Sequence, residues 1–130
     1  VEALWPLPFG VSYNSCLIID EKIALIDTVE GGFEEEYISN IREEIRDRKV
    51  DYLVINHMEP DHSSLISFIK GIYPEVEIVT NAKAVPMIKG HQMPVCNARI
   101  KLPTSIISAR IPTIIMITLT LVNCFFVFIR

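Results

Sequence analysis

From Phe33 to Gly90 the chain switches repeatedly between a helical and a strand-like period, and this alternation limits the folds open to it. Phe33, Tyr37, Ile38, Ile41 and Ile45 form one apolar stripe at helical spacing, which predicts a helix over 33–48. Glu34, Glu35 and Glu36 fall in its first turn and Arg46 and Arg48 in its last, the signs the helix dipole favours, so this charge run reads as a solvated face. VDYLVI, 50–55, reads as a buried strand. Ser63 to Ile72 reads as a helix with an apolar face of Leu65, Ile66, Phe68, Ile69 and Ile72, stopped by Pro74. VEIVT, 76–80, is a further strand. Asn81 then caps a short helix, AKAVPMIKG, which Pro86 limits and Gly90 ends. Upstream, VSYNSCLII (11–19) and IALIDT (23–28) are strand-like runs whose link, Asp20-Glu21-Lys22, suits a hairpin; Gly31-Gly32 breaks the chain after them. A hairpin followed by helix, strand, helix, strand, helix predicts an α/β (α+β) layer with parallel neighbours. There is no internal repeat and no low-complexity linker.

At 130 residues, half of them apolar, the chain can enclose one core. Its net charge of −4 speaks against a nucleic-acid partner. Cys16, Cys96 and Cys124 are odd in number and make no C-x-x-C, which predicts reduced, buried thiols and a cytoplasmic location. Val1 opens the chain without a signal peptide, and the start reads as a cut into a longer protein. Charge is unevenly spread: every acid lies at or before Glu77, and residues 78–130 carry six Lys or Arg and no acid. Residues 111–129, IPTIIMITLTLVNCFFVFI, carry no charge at all. As a helix the run would be about 28 Å long, enough to cross a bilayer, but its β-branched residues suit strands better. The sequence therefore divides into 1–96, a domain, and 97–130, an apolar tail. Three origins compete for the tail: a shifted or truncated reading frame, a membrane segment, or a divergent pair of core strands.

The chemistry concentrates in NHMEPDHSS, 56–64, directly after the buried strand. His57, Glu59 and Asp61 alternate, so a loop leaving the strand can project them to one side, and His62 follows at the start of a helix. Imidazole and carboxylate donors on a short loop between rigid elements are what a metal ion needs. A plainer reading has Asp61 capping the helix and His62 satisfying its amides. Two His and two acids within six positions favour the metal. The carboxylates suit iron or manganese at least as well as zinc. Asp27, ending its own strand, is placed to orient a ligand from behind.

The segment His57-Met58-Glu59-Pro60-Asp61-His62, H-x-E-x-D-H, resembles the metal motif of flavodiiron proteins (A-type flavoproteins) in the metallo-β-lactamase-fold superfamily. Hydrolases of that superfamily typically carry H-x-H-x-D-H, and Glu59 in place of the middle His marks the redox branch. GVSYNSCLIIDEKIALIDTVE resembles the family's opening strands, with Cys16 where Tyr is common, and YPEVEIVTNAKAVPMIKG resembles its next strand and helix, so the likeness runs over roughly 5–91. It implies part of an αββα sandwich, a mixed sheet with flanking helices, followed in the family by a flavodoxin-like domain carrying FMN. The implied activity is reduction of dioxygen to water or of nitric oxide to nitrous oxide at a non-haem diiron centre. A rubredoxin-like donor feeds the FMN, in a head-to-tail homodimer. By motif position His57 and Glu59 would ligate one iron and Asp61 the second, with His62 beside it; no catalytic residue separate from the ligands is implied, and none is assigned to the FMN.

The family also needs a later His, a bridging Asp and a final His. Within these residues the only other histidine is His91, and no acid follows Glu77. The place of the third His falls near Cys124. The cluster thus reads as half of a diiron site, and the polypeptide alone is expected to bind iron weakly at best and to lack turnover. Two other functions compete: a zinc hydrolase of the same superfamily, against which Glu59 speaks, and a non-catalytic truncated or membrane-tethered product.

Overall fold

The computed structural model describes residues 12–90, 100–101 and 125–129. Strands β1 (Tyr13–Ile19), β2 (Ile23–Ile26), β3 (Tyr52–Ile55), β4 (Glu77–Thr80), β5 (Ile100–Lys101) and β6 (Phe125–Ile129) form one mixed sheet in the order β5-β4-β3-β2-β1-β6. β1 and β2 are the expected hairpin, with Ile19 opposite Ile23, and β2, β3, β4 and β5 run parallel. Helix α1 (Glu34–Ile45) links β2 to β3; α2 (Pro60–Ser63) and α3 (Ile66–Ile72) link β3 to β4; α4 (Ala84–Gly90) follows β4.

One apolar row crosses the sheet. Leu17, Leu25, Leu53 and Ile78 are successive Cα partners, and all four are fully buried. The pairing continues to Ile100 on one side and to Phe125 on the other. Since side chains alternate along a strand, a slip of one residue would turn this whole row to the opposite face, so the row fixes the register. Against the same core α1 buries Tyr37, Ile38, Ile41 and Ile45, the stripe read from the sequence. Each such side chain contributes about 1.5–3 kcal/mol through burial. α1 stops at Ile45, short of the expected end, because Arg46 takes φ 55° while its N–H bonds the carbonyl of Arg42 at 2.8 Å.

Two expectations change. The single helix over 63–72 is two. α2 begins earlier, at Pro60, whose fixed φ suits a first helical position, while Glu59 before it stays extended at φ −72°, ψ 151°. The chain then breaks at Ser64 and Leu65, because the His62 carbonyl, which would accept within a continuous helix, accepts instead from the N–H and hydroxyl of Thr28 at 2.8 and 2.9 Å. Cys16, expected as a free thiol, is disulfide-bonded, and both cysteines that could partner it lie outside the described residues. Of the apolar run 111–129, residues 111–124 lie outside the described residues, as does the 96/97 division. Residues 125–129 are strand β6, paired antiparallel with β1. Among the described residues no helix is long and apolar enough to cross a membrane.

Candidate metal centre

The parallel strands β2 and β3 end side by side, and the motif leaves the end of β3. Clefts at the C-terminal ends of parallel strands are where open α/β sheets hold ligands. Asp27 directly follows β2. It adopts φ 57°, a left-handed conformation that costs an ordinary residue about 1–2 kcal/mol and that Asp tolerates better than most. Its N–H reaches the carbonyl of Val54 at 2.8 Å. Its carboxylate Oδ1 accepts from the backbone N–H of Asn56 at 2.8 Å and of His57 at 3.3 Å. The expected orienting role is thus exerted on the backbone of the motif rather than on an imidazole.

Thr28, the next residue, holds the other end. Besides its two bonds to the His62 carbonyl, its hydroxyl oxygen accepts from the N–H of Leu65 at 3.3 Å. Ser63, also buried, turns its hydroxyl back to the carbonyls of Glu59 at 2.9 Å and Met58 at 3.2 Å. Two adjacent residues of the β2 end therefore tie down both ends of H-x-E-x-D-H.

Within that frame the four motif side chains form two pairs. His57 Nε2 lies 3.3 Å from Glu59 Oε1, and His62 Nε2 lies 3.5 Å from Asp61 Oδ2. The two imidazoles meet edge to face, ring centres 5.5 Å apart. His57 and Glu59 are the more exposed pair, at 54% and 70%, and His62 the most covered of the four at 30%. His62 Nδ1 is buried and has no hydrogen-bond partner among the described residues. The plainer reading of Asp61 as a side-chain cap is not borne out: Glu59 occupies the cap position of α2, and no side-chain cap bond is made there.

In kind, this donor set fits iron: two imidazoles and two carboxylates, open to solvent, on a loop fixed through its backbone. In number it falls short. Among the described residues no three His, Cys, Asp or Glu side chains gather closely enough to hold a metal ion. No reaction step follows from these residues alone.

Sequence reasoning missed Thr28, Ser15 and Tyr37. Thr28 stands next to Asp27 in the IDT segment, a position the sequence marked only as the end of a strand. Ser15 and Tyr37 are buried on β1 and α1, and their hydroxyls meet beneath Asp27. Burial holds the Tyr37 phenol far above its ordinary pKa, with the Ser15 hydrogen bond opposing and the Asp27 charge adding to the shift, so Tyr37 stays protonated.

The sequence is 44% identical over 82 residues to an anaerobic nitric oxide reductase flavorubredoxin homolog of Escherichia coli, a match covering 63% of this chain and 20% of the relative. Flavorubredoxins of other Escherichia coli strains match at the same identity, over 17% of their length. The chain spans at most a fifth of the curated relatives it matches. Among solved structures, the rubredoxin oxygen:oxidoreductase of Desulfovibrio gigas superposes with TM-score 0.65 at 29% identity, over 73% of this chain and 23% of that one. The flavodiiron protein of Giardia intestinalis gives TM-score 0.62 at 30% identity, over 70% and 22%. No family model matches the sequence.

Proposed function

We propose that this chain carries the N-terminal part of the metallo-β-lactamase-like domain of a flavodiiron protein, and that His57, Glu59, Asp61 and His62 are one half of a non-haem diiron site. The whole protein's reaction is reduction of dioxygen to water or of nitric oxide to nitrous oxide, with electrons passed from a rubredoxin-like donor through FMN. Iron supplies the redox chemistry when bound. This chain's own residues orient and hold: Asp27 fixes the amides of Asn56 and His57, and Thr28 fixes the turn carrying His62.

The observation that carries this reading is the unneutralised donor cluster at the C-terminal ends of β2 and β3, held through its backbone. No Lys or Arg makes an ion pair with Glu59 or Asp61 among the described residues; each faces an imidazole instead. A purely structural loop gains nothing from two open acids beside two histidines.

The other half of the ligand set, the flavin domain and the head-to-tail homodimer lie beyond residues 1–130 on this reading. The chain alone is therefore expected to bind Fe(II) weakly and to turn over neither gas. Anaerobic titration with Fe(II), followed by assays of oxygen and nitric oxide consumption, tests it. Stoichiometric tight iron with gas reduction would overturn the half-site reading. Binding of Fe(II) that survives substitution of all four motif residues would overturn the site itself.

A further inference from the structure

We propose that the buried hydroxyl pair of Ser15 and Tyr37 is a positioning device for the motif loop, acting through the backbone of Asp27. It rests on the reading of residues 57–62 as a metal site. The two hydroxyls lie 2.8 Å apart. Ser15 Oγ is 3.0 Å from the Asp27 carbonyl and 3.2 Å from that of Ile26, and the Tyr37 hydroxyl is 3.2 Å from the Asp27 carbonyl. Ser15 comes from β1 and Tyr37 from α1, so two separate elements converge on one carbonyl.

Counting protons shows how the device works. Each hydroxyl has one proton to give. If Tyr37 donates to Ser15, Ser15 can donate to Asp27. If Ser15 donates to Tyr37, Tyr37 donates to Asp27. Either arrangement lets one hydroxyl support the other while the supported one grips the carbonyl. That carbonyl belongs to the residue held at φ 57°, and it is this conformation that lets Asp27 Oδ1 reach the amides of Asn56 and His57. A chain of contacts thus runs from the buried pair, through the left-handed Asp27, to the loop that carries His57 and Glu59. Both hydroxyls lie in the core, Ser15 at 1% and Tyr37 at 0% exposure, so solvent cannot replace them.

The redundancy yields a specific expectation. Ser15→Ala leaves Tyr37 to donate to Asp27, and Tyr37→Phe leaves Ser15 to do so. Each single variant should change the loop little, whereas the double variant leaves the carbonyl without a side-chain donor and should exceed the sum of the two. The experiment follows amide hydrogen exchange of the full chain, comparing Asn56 and His57 with Leu53 in the core strand, together with visible-absorption titration by Co(II). In the double variant the Asn56 and His57 amides should exchange at least about tenfold faster relative to Leu53. Apparent Co(II) affinity should fall by about tenfold, the lower end of the effect of removing an outer partner of a metal ligand. Ser15→Thr, which keeps the hydroxyl, should restore loop protection in the Tyr37→Phe background. If the double variant accelerates all three amides by one common factor, the pair is merely structural and the proposal fails. If loop protection falls selectively while Co(II) binding survives substitution of His57, Glu59, Asp61 and His62, the positioning device stands and the metal reading fails, so the two are separable.

Discussion

The two ends of the parallel strands use the same residue types in opposite ways. At the N-terminal ends, charges are matched. Lys22 pairs with Asp51 at 3.1 Å, Asp51 also accepts from the N–H of Ile23 at 2.9 Å, and Lys49 pairs with Glu75. At the C-terminal ends, Glu59 and Asp61 face histidines rather than cations, and Asp27 spends its carboxylate on backbone amides. The first arrangement neutralises acids for the sake of the fold. The second spends backbone hydrogen bonds to hold acids open. An acid-rich segment is therefore uninformative by itself, and what covers each carboxylate separates a structural end of a sheet from a chemical one.

The row that separates these ends should carry the largest effect. Leu53→Ala removes a fully buried side chain flanked by Leu25 and Ile78 and should cost about 2–5 kcal/mol in urea denaturation. Both ends would weaken together, because the row sets the register of both. A loss confined to one end would show that the two ends do not share this row.

Next in size is Thr28→Val, which keeps shape and removes the hydroxyl. It leaves the Leu65 N–H without its acceptor and the His62 carbonyl with one donor fewer. The expected loss is about 1–3 kcal/mol, the range for orphaning a buried polar group. Amide exchange should show the loss around α2 before it shows in β4. A uniform loss would mean that Thr28 is ordinary core rather than a clamp on the motif.

These two positions also show what could be read from the sequence. The strands carrying Leu17, Leu25, Leu53 and Ile78 were legible as apolar runs, though not their pairing into one row, and α1 was legible from its stripe. The motif was legible because its donors lie in six consecutive positions. The break between α2 and α3 was not, since the groups that cause it come from Thr28, 34 residues away from the carbonyl they claim. Ser15 and Tyr37 were hidden for the same reason: only the fold brings β1 and α1 to one carbonyl. The bond at Cys16 was read wrongly, because an odd cysteine count says nothing of which thiols meet. Strand β6 lay at the end of a run whose composition suited a helix or a strand, and its pairing with β1 decided for the strand.

A smaller effect belongs to the structural end. Asp51 gains from burial in the upward direction, but the Ile23 amide and the Lys22 and Lys49 ammonium groups outweigh this and hold its pKa below the usual carboxylate value. A carboxyl lowered in the folded state stabilises above its unfolded pKa, about 3.9, and loses that contribution as pH falls through the folded value. With Lys22 well exposed and screened, the contribution should stay under about 1 kcal/mol. Asp51→Asn should lower the urea midpoint near neutral pH and flatten its fall at acid pH, with Fe(II) binding unchanged. A change in Fe(II) binding would mean that the two ends are coupled.

The smallest effect on stability should come from the motif itself, and for that reason it discriminates best. His57 and Glu59 are more than half exposed and face each other, and the His57 ring also meets the His62 ring edge to face. Replacing both by Ala should shift stability by no more than about 0.5 kcal/mol, the range of exposed surface substitutions. The loop stays tied by its backbone to Asp27 and Thr28. If the pair is half of one iron's ligand set, the same double variant should abolish whatever Fe(II) binding the parent shows. Loss of iron with stability intact is the signature of residues kept for chemistry. Loss of stability with iron binding intact would make the C-terminal end as structural as the N-terminal one, and the contrast between the two ends of the sheet would collapse.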